Sequence, residues 1–254
     1  MKALRSQGEM FDLHQLKVYE KALALCASAE TLRATWGRRH AICDHFRRAS
    51  ESIVLNLAEG ARLRSGADRA RVLDYAIGSS LECAGCLDIA HIKGCLLLGC
   101  SVAEKQRYLE VTRMLVGLRK KWLNDAMHEE SNPYEAESSS SCPQYCFHHE
   151  SLDMYQVALN FMRWFACLPG SSELSNRLCR EVDKAGTSVV LNVAEGNGRY
   201  SELDHRRFLE IAGASAARAI VYLELYQQQV LQGHTEINEG RELLTRVLVM
   251  LSKF

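Results

Sequence analysis

Apolar positions along the chain recur every three or four residues and do not alternate, which is the periodicity of helices that bury one face. Leu16, Tyr19, Leu23 and Cys26 fall at this spacing and predict a first helix over about 11–33 with these four residues on its buried stripe. Further helices are expected over about 39–59, 67–93 and 101–125. Gly60 stands where a C-terminal cap would sit, Ser65 precedes the third helix, and Ser101 with Glu104 three residues on has capping-box spacing. The pattern then starts again, with helices over about 151–168, 172–195, 202–232 and 236–252 and an N-terminal cap at Ser201. Four amphipathic helices of similar length with short connections make an up-down four-helix bundle.

The second set is a copy of the first. Ser52-Ile53-Val54-Leu55-Asn56-Leu57-Ala58-Glu59-Gly60 recurs as Ser188-Val189-Val190-Leu191-Asn192-Val193-Ala194-Glu195-Gly196, an offset of 136. The same offset pairs Leu16 with Leu152, Tyr19 with Tyr155, Cys43 with Cys179, Asp68 with Asp204 and Arg71 with Arg207. Between residues 16 and 90 it leaves no gap, and 21 of 75 pairs are identical. The chain therefore reads as all-α, with tandem bundles over 11–127 and 151–254. Between them, residues 128–150 carry Asn132-Pro133, Ser138-Ser139-Ser140-Ser141, Pro143 and several acids. Such a segment cannot bury enough to order itself and is expected to be a flexible tether.

With 254 residues, 47% of them hydrophobic and 3 prolines, the chain is rich enough in apolar residues to exclude disorder. No run approaches the roughly 18 apolar residues of a membrane span. No apolar stretch follows the positive charges at Lys2 and Arg5, so a secretory signal is not expected and the cytoplasm is the default compartment. Ten cysteines in such a chain read as reduced thiols, with Cys83 and Cys86 acting as small buried hydrophobes. The 31 basic and 31 acidic residues balance, yet they are segregated. Residues 1–127 hold 20 basic against 14 acidic, 128–151 hold none against 5, and 152–254 hold 11 against 12. Affinity for phosphate is accordingly expected in the first bundle.

The repeated motif carries a polar stripe. Ser52, Asn56 and Glu59 share a helix face at i, i+4 and i+7, as do Ser188, Asn192 and Glu195. The architectural reading has Asn and Ser bonding a neighbouring helix or carbonyl and Glu anchoring an Arg of the third helix. A catalytic reading lacks the second carboxylate or His that acid–base work needs nearby, and a di-metal bundle would carry Glu-x-x-His. Phosphate-loop, dinucleotide and hydrolase motifs are absent. In Cys142-Pro143-Gln144-Tyr145-Cys146-Phe147-His148-His149 the adjacent imidazoles cannot easily reach one zinc. No catalytic residue, metal or cofactor is therefore expected.

The candidate phosphate contacts are Arg38, Arg39, Arg47 and Arg48, with His40 and His45, at the start of the second helix, and Arg62, Arg64, Arg69 and Arg71 around its end. The alternative is a solvated charged face. With no interleaved aromatics, binding would be electrostatic, sequence-tolerant and weakened by salt. Gly78, Ser79, Ser80, Ala84 and Gly85 line the third helix, matched by small residues at 212–216. They call for close approach, expected within the bundle rather than between bundles.

Asn-(Leu/Val)-Ala-Glu-Gly closing the second helix is followed by Arg62 and Arg64 or Gly198-Arg199, then Leu73 or Phe208-Leu209, then Gly78-Ser79-Ser80-Leu81-Glu82. This resembles the four-helix-bundle family that includes proteins encoded in intervening sequences of bacterial 23S ribosomal RNA genes and the accessory variability determinant of diversity-generating retroelements. The resemblance implies a helical bundle without enzymatic activity that commonly associates into rings of five. For the retroelement member it also implies a basic surface engaging nucleic acid and a reverse transcriptase. Val54 and Val190 stand where the family often has proline, and the second copy of the Gly-Ser element reads Ala214-Ser215-Ala216-Ala217-Arg218. Bundles supplied in twos fit a ring of six from three chains, or a compact intrachain pair, better than a ring of five. The expectation is a scaffold or adaptor, self-associating or bound to a protein such as a reverse transcriptase or another mobile-element or defence enzyme. The alternative is a nucleic-acid-binding module for RNA or DNA. Neither a membrane nor a small-molecule substrate is implied.

Overall fold

A computed structural model describes residues 16–36, 40–127, 147–168, 171, 176–229 and 237–253. They form α1 (Lys17–Thr35), α2 (Ala41–Arg62), α3 (Gly66–Ile92), α4 (Leu98–Met127), a 3-10 turn (His148–Ser151), α5 (Asp153–Ala166), α6 (Arg177–Asn197), α7 (Glu202–Gln229) and α8 (Asn238–Leu251), with no strand among the described residues. Helices α1 to α4 close one bundle, with α1 on α2 and α4, and α3 on α2 and α4; α5 to α8 repeat that plan. The apolar period dictates this, since each helix has one stripe to bury and two adjoining helices to bury it against.

Caps mark several helix starts. The Ser65 hydroxyl accepts the Asp68 backbone N–H at 3.3 Å, Asn176 accepts that of Leu178 at 2.7 Å, and Ser201 that of Asp204 at 3.4 Å. Ser101 is not a cap: α4 starts at Leu98, and the Ser101 hydroxyl is buried, donating to the Leu87 carbonyl at 3.2 Å. Gly60 and Gly196 do not end their helices either. Each lies inside its helix, where a Cβ would stand 2.9 Å from the Trp122 ring at Gly60 and 3.0 Å from Phe208 at Gly196. The motif glycine is there for close approach. On α1 the buried stripe is Val18, Ala22, Leu25 and Ala29, while Leu23 is exposed. The stripe is rotated from the expected one, and two of its four members are alanines, which side-chain size does not announce.

The two cores, centred on Phe46, Ile53, Leu73 and Tyr108 and on Tyr155, Phe161, Leu223 and Leu244, are continuous across the bundles. Full burial of one such side chain contributes roughly 1.5–3 kcal/mol. The joint is made by α3 against α6, with smaller contacts of α3 on α5 and of α2 on α6. Gly78 and Gly85 belong to this joint. A Cβ on Gly85 would lie 3.0 Å from Leu191, one on Gly78 3.0 Å from the Arg199 guanidinium, and one on Gly198 2.5 Å from Leu81. The glycines of the small-residue stripe thus serve the contact between bundles, whereas Ser79 and Ser80 face inward. Of the segment expected to be a tether, 128–146 lie outside the described residues; Phe147, His149 and Glu150 are buried against the bundles.

Candidate interaction surfaces

The polar stripe is engaged in both copies in the same way. The Asn56 amide donates to the Ser52 carbonyl at 2.7 Å and to its hydroxyl at 2.9 Å, and the Ser79 hydroxyl of α3 donates to the Ser52 hydroxyl at 2.8 Å. In the second bundle Asn192 reaches the Ser188 carbonyl at 2.7 Å and hydroxyl at 3.1 Å, and Ser188 bonds Ser215 of α7 at 2.9 Å. The residue nine positions after the motif glycine likewise has the same role in both copies. Arg69 donates to the Gly60 carbonyl at 3.2 Å, and His205 lies 2.8 Å from that of Gly196.

Glu59 and Glu195 break the symmetry. Neither pairs with an Arg of the third helix. Glu59 is exposed, with no ion pair among the described residues. Glu195 is turned into the joint and pairs with Arg199, one turn along its own chain. Burial, and next the Glu82 carboxylate, push the Glu195 carboxyl up to about 7 against the opposing pull of Arg199. Glu82 itself bonds His45 at 2.9 Å.

The joint holds two further polar groups. Lys93 and Asp183 form an ion pair in which the lysine side chain keeps 7% and the aspartate 1% of its accessible surface. Lys105 lies 2.8 Å from Asp88 and 3.0 Å from Glu150, and Tyr155 donates to Asp88 at 2.8 Å. Burial opposes the Lys105 charge, but the two carboxylates together hold its pKa above the usual range. Beside them His149 is wholly buried, with neither ring nitrogen hydrogen-bonded, and burial pushes its pKa down to about 3.

The arginines do not form one patch. Arg38 and Arg39 lie outside the described residues. Arg47 pairs with Asp44 and Glu51, both at 3.0 Å, and Arg48 with Asp44 at 3.0 Å, so their charge is locally offset. Arg62 is 15 residues further along α2, about 22 Å away at 1.5 Å per residue. There Arg62, Arg64 and Arg69 line a cavity of about 350 Å³ with Leu16, Leu63 and Trp122, and the Arg69 guanidinium stacks 4.0 Å from the Trp122 ring. Arg64 and Arg71 are exposed and make no ion pair among the described residues. Of the thiols, Cys83 and Cys86 are buried; the eight cysteines described are free, and among the described residues no His, Cys, Asp and Glu group could hold a metal.

Motif reading missed Lys93, Asp183, Tyr155, Asp88 and Arg199. For Lys93, Asp183 and Arg199 the signal that could have found them is divergence between copies, whereas Tyr155 matches Tyr19 and Asp88 matches the acid Glu224. Asp183 aligns with Arg47, Gly85 with Val221 and Arg199 with Leu63, as expected where one copy is buried in a joint and the other is not.

A family model described as 23S rRNA-intervening sequence protein matches the chain twice, over residues 14–117 and 150–253. No curated protein and no solved structure matches it. No described helix is long and apolar enough to cross a membrane.

Proposed function

Since the chain belongs to the 23S rRNA-intervening sequence protein family in both of its halves, we propose that it works without catalysis, as an adaptor and accessory subunit to a reverse transcriptase or another mobile-element or defence enzyme. The observation that carries this reading is the use of the repeated motif. Serine and asparagine, identical in both copies, bond to one another and to the adjoining helix, and of the repeated polar groups Glu59 alone is exposed. The carboxylates and imidazoles that do come together sit in the joint between bundles, where they order one bundle against the other. Capture of the tagged chain from its host tests the reading. The expected result is stoichiometric recovery of a nucleic-acid-synthesising or -processing enzyme whose activity falls when the chain is withheld. Recovery of the chain without such an enzyme, or substrate turnover by the chain alone, overturns it.

A second reading is favoured by one observation: Arg64 and Arg71 are exposed, without an ion pair among the described residues, and Arg64 lines the cavity at the α2–α3 corner. There the chain would hold RNA or DNA through phosphates, with affinity falling steeply with salt. Reversal of both charges (Arg64→Glu, Arg71→Glu) should abolish retention on a mixed-sequence RNA column, whereas reversal of Arg47 and Arg48 should change it less. Equal effects of the two pairs would refute this placement.

A further inference from the structure

Where the two bundles meet, the joint leaves a cavity of about 400 Å³, a volume within the range of small-ligand sites. Its walls come from both bundles: Ile77 and Leu81 of α3, Leu109 of α4, Phe147 before the 3-10 turn, and residues 197–200 where α6 gives way to α7. Ile77, Leu81 and Phe147 are buried and make an apolar floor. The described residues that line the cavity include no carboxylate, and Arg199 is the permanent cation among them.

Arg199 is built into this wall with donors to spare. Its side chain keeps only 5% of its accessible surface, and its guanidinium lies over the Tyr75 and Phe208 rings, 4.9 and 4.6 Å from their centroids. One terminal nitrogen donates to the Glu195 carboxylate and the other to the Asp74 carbonyl at 3.3 Å, while the buried Nε has no acceptor among the described residues. A guanidinium carries five N–H donors, and a buried donor on a cation is costly to leave unmet. The residue aligned with Arg199 in the first copy is Leu63, so this donor is not a feature that the repeat as such requires.

We propose that this cavity binds a small organic monocarboxylate, its apolar body on the floor of Ile77, Leu81 and Phe147 and its carboxylate against the Arg199 guanidinium. A carboxylate is the acceptor that makes the stronger, charge-assisted bond with such a donor. Arg199 already shares its charge with Glu195, so a dianion such as a phosphate group would enter the joint without enough positive charge to offset it. An apolar floor also gives a phosphate nothing in return for its lost hydration, whereas it suits a hydrocarbon chain or ring. Asn197 and His148, at the rim, add polar groups that can donate to the same carboxylate. Because both bundles supply the walls, the bound acid would tie one to the other. This site goes beyond the adaptor reading and does not rest on it.

Titration calorimetry on the whole chain tests it, with octanoate and 2-naphthoate as probes and octanamide and 2-naphthamide as their uncharged counterparts. Saturable binding of at least one of the acids is expected, and its amide should bind roughly tenfold more weakly or worse, the loss that follows when a bond between charged partners becomes one to a neutral group. Leu109→Trp, at a half-buried helix position, should fill the cavity and abolish that binding while circular dichroism still reports a folded chain. Arg199→Met should erase the preference for acid over amide, and it decides the matter if Leu109→Trp does not fold. Failure of both acids to bind, equal affinity for acid and amide, binding undiminished in folded Leu109→Trp, or a preference for the acid that survives in Arg199→Met each overturns the proposal.

Discussion

The Lys93–Asp183 pair gives the sharpest quantitative test of the joint. Lys93→Met removes the ammonium while keeping much of the side-chain volume, and leaves a carboxylate with 1% accessibility facing an apolar seam. Breaking one side of a buried pair costs about 3–5 kcal/mol, because the remaining charge is desolvated without compensation. With a urea m-value near the upper end of the usual range, about 3 kcal/mol/M, the midpoint should fall by roughly 1–1.7 M. Lys93→Met combined with Asp183→Leu removes the stranded charge as well, and such replacements are often neutral. The double variant should therefore recover to within about 1 kcal/mol of wild type, giving a large coupling in a double-mutant cycle. Because the pair bridges two bundles, the single variant should also split the unfolding curve into two transitions when helix content is followed by circular dichroism. A single variant within about 1 kcal/mol of wild type, or a double variant as unstable as the single, would refute the reasoning, since the pair would then not be buried in a closed joint.

Three further outcomes follow from the same geometry. A carboxyl with folded pKa about 7 binds its proton more readily in the native state than in the unfolded one, so Glu195 favours folding at low pH and loses that contribution as pH rises from about 4.5 to 7. Unfolding free energies of Glu195→Gln from urea titration should accordingly exceed those of wild type at pH 8, by about 3 kcal/mol at most, and converge at pH 4; parallel pH profiles would contradict this. His149 acts in the opposite direction: its folded pKa of about 3 keeps it neutral while the unfolded chain protonates near pH 6.5, so stability is lost as pH falls through that window. His149→Phe should flatten that acid limb relative to wild type, and an unchanged limb would mean that the ring is hydrated. Under native conditions a thiol reagent should label the exposed Cys100 and Cys167 first among the described cysteines, and Cys83 and Cys86 only on unfolding, because burial raises both of those thiols and shields them. Mass mapping of the labelled peptides decides it, and early modification of Cys83 would count against the packing of α3.

Much of the architecture is written in the chain itself. Apolar spacing fixed the helices to within a few residues, and the offset of 136 fixed their grouping into two copies. Both are one-dimensional properties: a helix needs only its own periodicity, and a duplication only its register. What the tertiary structure decided is which faces meet. Leu23 lost its place in the core to Ala22 and Ala29, Gly60 proved to be a contact for Trp122 and not a cap, and Gly78 and Gly85 turned toward the other bundle. The arginines were already legible as two groups at the two ends of the second helix, but only the structure showed that Arg47 and Arg48 are offset by acids while Arg62, Arg64 and Arg69 line a cavity. Glu59 and Glu195, in identical sequence settings, ended one in water and the other in a joint. Sequence determines which surfaces a helix can offer, but burial depends on the partner that covers them, and a residue's neighbours across a joint lie tens of positions away along the chain.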